Sequence, residues 1–309
     1  MKGEAVVYSI AGVGVTLLLL LSSHWLGPLG AFTSMLAALP TCYLVMRFGV
    51  PTGLTVVALS ALALTQLVDL TAVINYLGLY AVPALLLPSL LRRFWPWDLA
   101  LLVSGLVTLL VAGILLLSYV QISGQEIGPL VDRYLQAEVD VAMQAYQGGG
   151  FSASQLSDLK EVAIQVAEFI RKTFVGLYAA GVLVVHLVTL GLLQRFKRER
   201  FQIAGTVFAQ WRLPALLIWL LIAAGFALLV PWPPVSLTGR NLLAVLLPLY
   251  FVQGLAVVCC FVQRKSWPPA LKGLVYVLVF LLNPLPLVVT GVGVFDLWVD
   301  FRRPRKKVL

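Results

Sequence analysis

The sequence is poor in the groups that aqueous chemistry relies on. Charged residues are 11% of its 309 positions, with 13 acids and two histidines, whereas a soluble globular domain is roughly a quarter charged. The three cysteines, Cys42, Cys259 and Cys260, lie in apolar runs without C-x-x-C spacing, which excludes a disulfide framework and a thiolate zinc site. No H-E-x-x-H, no G-x-x-x-x-G-K-[ST] and no nucleophile elbow occurs, so zinc-peptidase, nucleotide-hydrolysing and serine-hydrolase chemistries lack a carrier. Gly291-Val292-Gly293-Val294-Phe295-Asp296 superficially approaches the Gly-x-Gly-Asp of intramembrane aspartyl proteases, but two residues intervene and no second membrane aspartate matches it. The chain reads as a non-enzyme, with no metal and no cofactor expected.

Apolar sequence is what it has in abundance. With 61% hydrophobic residues and a mean hydropathy of +0.97, it carries more apolar surface than a water-soluble fold of this length can bury, so the lipid bilayer is its main partner. The runs do not alternate polar with apolar residues, which excludes a β-barrel. The expected class is all-α, a polytopic transmembrane bundle of about eight to ten spans. A net charge of +9 would suggest nucleic acid in a soluble protein. Here the basic residues cluster at the ends of apolar runs and read as topology signals instead, with no nucleic-acid partner.

One polar interval, residues 121–172, divides the chain into a first membrane half (1–120, five spans) and a second (173–301), followed by a basic tail (302–309). In the first half, spans are expected over 5–21, 29–46, from the Gly49–Gly53 turn to about Leu67, over 70–91 and over 99–120. Ser22-Ser23-His24-Trp25 offers no small-x-small cleavage site, so the first span is read as uncleaved. Within the polar interval, Ile127, Val131, Tyr134, Leu135 and Val139 recur at helical spacing, Gly148-Gly149-Gly150 stops that helix, and Ser152-x-x-Gln155 has the capping-box pattern. Leu156, Leu159, Val162, Val166 and Phe169 then continue an apolar face. This predicts an external two-helix hairpin, with its second helix able to run into span six. Acids outnumber bases in it, which suits the outside of a cytoplasmic (inner) membrane.

Further along, spans are expected over 173–193, 215–230 and 241–262, with Pro231-Trp232-Pro233-Pro234 as a stiff turn. Residues 273–301 are interrupted by Asn283-Pro284-Leu285-Pro286 and could cross once, cross twice or re-enter. Two crossings or re-entry would return the basic tail to the cytoplasm, alongside the amino terminus, and leave only Arg133, Lys160, Arg171, Lys172 and Arg240 of the 22 basic residues outside.

Polar residues inside spans are the candidates for function. His186, Gln253 and Asn283 are the deepest by position. They serve either as interhelical hydrogen bonds or as the lining of a polar substrate pocket. Asp69 is read as a loop charge. Asp296 and Asp300, spaced i, i+4 with Arg302 and Arg303 beyond, form either a solvated helix end or a docking face for a cytoplasmic partner.

Phe208-x-x-Trp211-x-Leu213-Pro214, Asn241 with Tyr250-Phe251-x-Gln253-Gly254-Leu255-Ala256, and Gly293-x-Phe295-Asp296-x-Trp298-x-Asp300-Phe301-Arg302 together resemble the YybS-like family of bacterial membrane proteins. That resemblance implies a multi-pass membrane protein and little chemistry. Gly27, Gly30, Pro40 and Gly49-x-Pro51-x-Gly53 are similar to the S components of energy-coupling-factor transporters. This second likeness implies a small-molecule uptake subunit lacking its own ATPase, with a coupling protein and ATPases as partners. The rival expectation is a scaffold that recruits envelope or cytoplasmic proteins.

Overall fold

The computed structural model describes residues 2–26, 28–147, 151–196 and 203–303. These are nearly all helical, with no strand among the described residues. Among the described residues six helices are long and apolar enough to cross a membrane, or seven if one bent pair counts as a single span. Two shorter apolar helices, Phe32–Phe48 and Leu216–Ala227, fall where two further spans were expected. The chain divides into two compact units, one of Met1–Leu130 with Gly181–Gly205 and one of Val131–Ala180 with Thr206–Leu309. The units therefore do not follow the polar interval.

The first unit holds α1 (Lys2–Leu26), α2 (Pro28–Ser34), α3 (Ala38–Phe48), α4 (Val50–Leu67), α5 (Leu70–Asn75), a π-helical segment (Tyr76–Ala81), α6 (Val82–Arg92) and α7 (Trp97–Ser123). The expected second span is broken between α2 and α3. Pro40 has no N–H for the carbonyl of Leu36, and the chain passes the break on tighter bonds from Leu36 N–H to Thr33 and from Ala37 N–H to Ser34. Only Gly49, at φ 103°, makes the reversal into α4. Gly53, expected in that turn, is inside α4, and a Cβ there would strike Val45. Asp69 is more than a loop charge, because its carboxylate caps α5 by accepting the Ala72 N–H at 2.7 Å. Through the widened turn before Pro83 the helix continues to Arg92, which agrees with the expected span. Pro83 cannot donate to the carbonyl four residues back, and the π-helical segment absorbs that mismatch.

Two further helices, α8 (Ile127–Gln147) and α9 (Ala153–Arg195), form the hairpin. The capping box is made in full, with Ser152 N–H donating to Gln155 Oε1 at 2.9 Å and Gln155 N–H donating to Ser152 Oγ at 3.3 Å. From that start α9 runs 43 residues without a break, about 65 Å, so hairpin and span six are one helix. Its half-buried face is Leu156, Leu159, Ala163, Ala167 and Ile170. Val162, Val166 and Phe169, expected on that face, are exposed. At 3.6 residues per turn, the small alanines bring the face round by one position.

The second unit continues with a 3-10 turn (Phe208–Gln210), α10 (Leu216–Ala227), α11 (Pro233–Arg264), α12 (Pro269–Leu281) and α13 (Leu285–Val299). Pro233-Pro234 starts α11 and does not form a turn of its own, since Pro at the first helical positions forfeits no hydrogen bond. The connector that leads into α10 has no α-helix over its described residues 203–212. It crosses as the 3-10 turn flanked by extended backbone. Between α12 and α13 the chain bends by 100°. At 13 and 15 residues, about 20 and 22 Å, neither helix alone covers the roughly 30 Å of hydrocarbon.

Candidate functional site

Apart from Asn241, the three stretches that carried the first family resemblance meet at one place in the second unit. It is built on the crossing of α11 and α13, where a Cβ at Gly254 would run into the Val289 carbonyl and a Cβ at Gly293 into that of Tyr250. Each glycine thus admits the other helix's backbone, the arrangement by which apolar helices associate when no water drives them together. Gln253, 3% exposed, projects from this crossing. Its Nε2 donates to the Gly293 carbonyl at 3.0 Å, and its Oε1 accepts the Leu213 N–H at 2.9 Å.

That last bond explains much of the site. The segment from Thr206 to Leu213 is not α-helical, and although its 3-10 turn pairs Gln210 N–H with Val207 and Trp211 N–H with Phe208, other backbone groups must be satisfied from elsewhere. Gln253 serves one N–H. Arg302 serves two carbonyls, donating through Nη1 to Ala209 at 3.0 Å and to Trp211 at 2.7 Å. The Arg302 side chain is 6% exposed, and its Nη2 lies 2.9 Å from Oδ2 of the fully buried Asp296. The two groups form an ion pair, and Asp296 Oδ1 and Arg302 Nε have no hydrogen-bond partner among the described residues.

Asp300 follows α13 in the left-handed region, at φ 45°, which aspartate tolerates better than most residues. It pairs with Arg212 and with Arg303, the latter at 2.7 Å. The Arg303 guanidinium first, and Arg212 after it, hold the Asp300 carboxyl below its ordinary value. Arg212 also reaches Asp296 at 3.8 Å, and Arg264 donates to the Arg302 carbonyl. Asp296, Asp300 and Arg302 are therefore brought together, as their spacing suggested. They form a clasp that fixes the connector, and Asp296 is not a solvated helix end.

Beside the clasp opens a cleft of about 450 Å³, lined by Val207, Ala209, Gln210, Cys260, Gln263, Arg264 and Arg302. It offers guanidinium and carboxamide donors and no nucleophile paired with a base, so it is suited to holding an anion or a polar partner.

His186, in the first unit, is 1% exposed. Nδ1 lies 2.8 Å from the Val182 carbonyl, which can only accept, so Nδ1 carries the proton and Nε2 accepts from the Ser104 hydroxyl at 2.9 Å. Both ring nitrogens are used within the protein. Asn283 stands exposed at the bend between α12 and α13, at the far end of α13 from the Gly293 carbonyl that Gln253 contacts.

Sequence reasoning did not assign a role to Asn241. Its amide bridges Gly176 N–H at 2.8 Å and Lys172 C=O at 2.9 Å, an i, i−4 pair of α9, where Gly176 lets the α11 backbone approach. The detectable signal was an amide about two turns into a long helix, at the start of its apolar run. Arg212 and Arg264 were missed as well, since each read as a boundary charge. Among the described residues no group of three or more histidine, cysteine, aspartate or glutamate side chains is placed to hold a metal.

A family model described as "Predicted membrane protein (DUF2232)" matches residues 14–297. The chain belongs to this family of multi-pass helical membrane proteins. No curated protein matches the chain, and no solved structure does.

Proposed function

We propose that this chain is a non-enzymatic interaction subunit of the cytoplasmic membrane, which holds a partner or ligand at the charged end of its second unit. One observation carries the reading. The open cleft sits where helices end and arginine and glutamine face it, whereas the mid-span polar groups His186 and Gln253 bond to their own chain. Cytoplasmic placement of this end, and of both termini, accords with the basic residues gathered there, Arg212, Arg264, Lys265, Arg302 and Arg303. Membership of the YybS-like family, within the broader family already assigned, is part of the same proposal.

A second reading is a small-molecule uptake subunit without its own ATPase, of the energy-coupling-factor kind. It draws support from the interrupted helices of the first unit, the break over 35–37 and the π-helical segment Tyr76–Ala81, because discontinuous membrane helices release backbone groups that can bind solutes.

Gentle detergent purification of the tagged protein from its own cells, followed by native mass spectrometry, separates the two. Co-purifying envelope or cytoplasmic proteins without an ATPase are the expected outcome. Recovery of ATPase and coupling subunits, or of a stoichiometric non-lipid small molecule, would replace the first reading with the second.

A further inference from the structure

The geometry points to the cleft beside the clasp as a binding site for a phosphate ester, the headgroup of an anionic phospholipid. This rests on the reading of the charged end as the binding end, and it names the ligand class. The first observation is the charge balance. Among the described residues of this end, the ion pairs join Arg212, Arg302 and Arg303 to the two acids Asp296 and Asp300, and Arg264, which lines the cleft, has no carboxylate partner. Among the described residues its side chain bonds the Arg302 carbonyl, which leaves most of its donor fork unengaged.

The second observation is independent of charge. Arg302 also lines the cleft, and its Nε–H is buried with no acceptor, a costly condition for a polar group in an apolar protein. Gln210 and Gln263 add carboxamides to the same wall. Guanidinium groups hold phosphate oxygens through paired N–H donors, and the lining sets neutral amides alongside them.

The third observation is position. Arg264 is the last residue of α11, a helix that is apolar enough to span the membrane, and the aromatic side chains of Trp267 and Trp298 are exposed in the same unit. Cations and tryptophans at the end of an apolar helix mark the headgroup layer. A diacyl phosphate reaches such a site from the bilayer, while a free phosphate reaches it only from water.

The test uses the full-length protein in mild detergent, stripped of lipid, with native mass spectrometry counting what binds. The probes are phosphatidylglycerol, phosphatidylcholine and inorganic phosphate. Wild type is expected to retain one phosphatidylglycerol in preference to phosphatidylcholine, and Arg264→Gln, a change at an exposed side chain that leaves Arg302 in place, to lower that occupancy by about tenfold. Arg240→Gln, an exposed cation outside the clasp, is the matched control and should bind as wild type. Inorganic phosphate that binds with the same dependence on Arg264 would support the phosphate chemistry and indicate a soluble source. Equal loss in both variants, no loss in either, or equal retention of phosphatidylcholine would overturn the assignment. Protein partners scored in native purifications of the same variants distinguish the readings. If partners stay while the lipid preference fails, only the headgroup assignment falls, and if partners are absent throughout while the lipid binds through Arg264, only the interaction reading falls.

Discussion

His186 in the first unit and Gln253 in the second are the same kind of residue on paper, one polar side chain deep in a long apolar helix. The protein uses them differently. His186 joins α9 to α7 through a single hydroxyl and turns its other nitrogen back on its own helix. Gln253 joins α11 to α13 and to a stretch of backbone that is not α-helical, and the charged clasp completes what it begins. Where two helices meet, all main-chain groups are already paired and one neutral bond is enough. Where irregular chain is packed against membrane helices, each N–H and C=O needs a fixed partner, and Arg302 and Gln253 supply three of them. The demand of the connector's backbone gives a physical reason for buried charge in the second unit.

Substitutions that break this contrast should fall in a definite order. Arg302→Ala has the largest expected effect, about 3–5 kcal/mol of destabilisation in detergent, because it strands Asp296 without its counter-charge and frees the carbonyls of Ala209 and Trp211. Thermal unfolding followed by intrinsic fluorescence would read this as a loss of several degrees in Tm. Gly293→Val comes next, at about 1–3 kcal/mol, since its side chain must displace the Tyr250 carbonyl and part α11 from α13. Gln253→Ala should cost roughly 1–2 kcal/mol and speed hydrogen exchange at Leu213, whose N–H loses its acceptor. His186→Phe, which keeps the ring and removes two bonds, should cost only about 0.6 kcal/mol. A His186 effect as large as that of Arg302 would erase the distinction between the two units.

How much of this could be read beforehand follows from the range of the forces involved. Local patterns were legible. Ser152 and Gln155 sit three residues apart and bond as that spacing requires, and the apolar runs identify the class because lipid imposes its length on every span. The clustering of Asp296, Asp300 and Arg302 was also visible, since they are close in sequence. What they hold was not. Ala209 and Trp211 are over 90 residues away, and a carbonyl that needs a donor leaves no trace in residue type. Asp69 and Arg212 looked like boundary charges because a cap and an ion pair depend on a partner's placement. The face of α9 shifted by one residue because Ala163 and Ala167 are small enough to sit against a neighbour, whereas hydrophobic spacing alone favours the larger Val162 and Val166. Pro40 was plain in the sequence, and its cost fell on the turn before it.

The account's central claim is that Asp296 and Arg302 act as one buried unit that fixes the connector. A double-mutant cycle with Asp296→Asn and Arg302→Gln, scored by unfolding free energy in a single detergent, tests it most directly. The account predicts that each single change is costly and that the double variant is no less stable than the worse single one, a coupling of at least about 1 kcal/mol. Additive losses, with no coupling between the two positions, would contradict it.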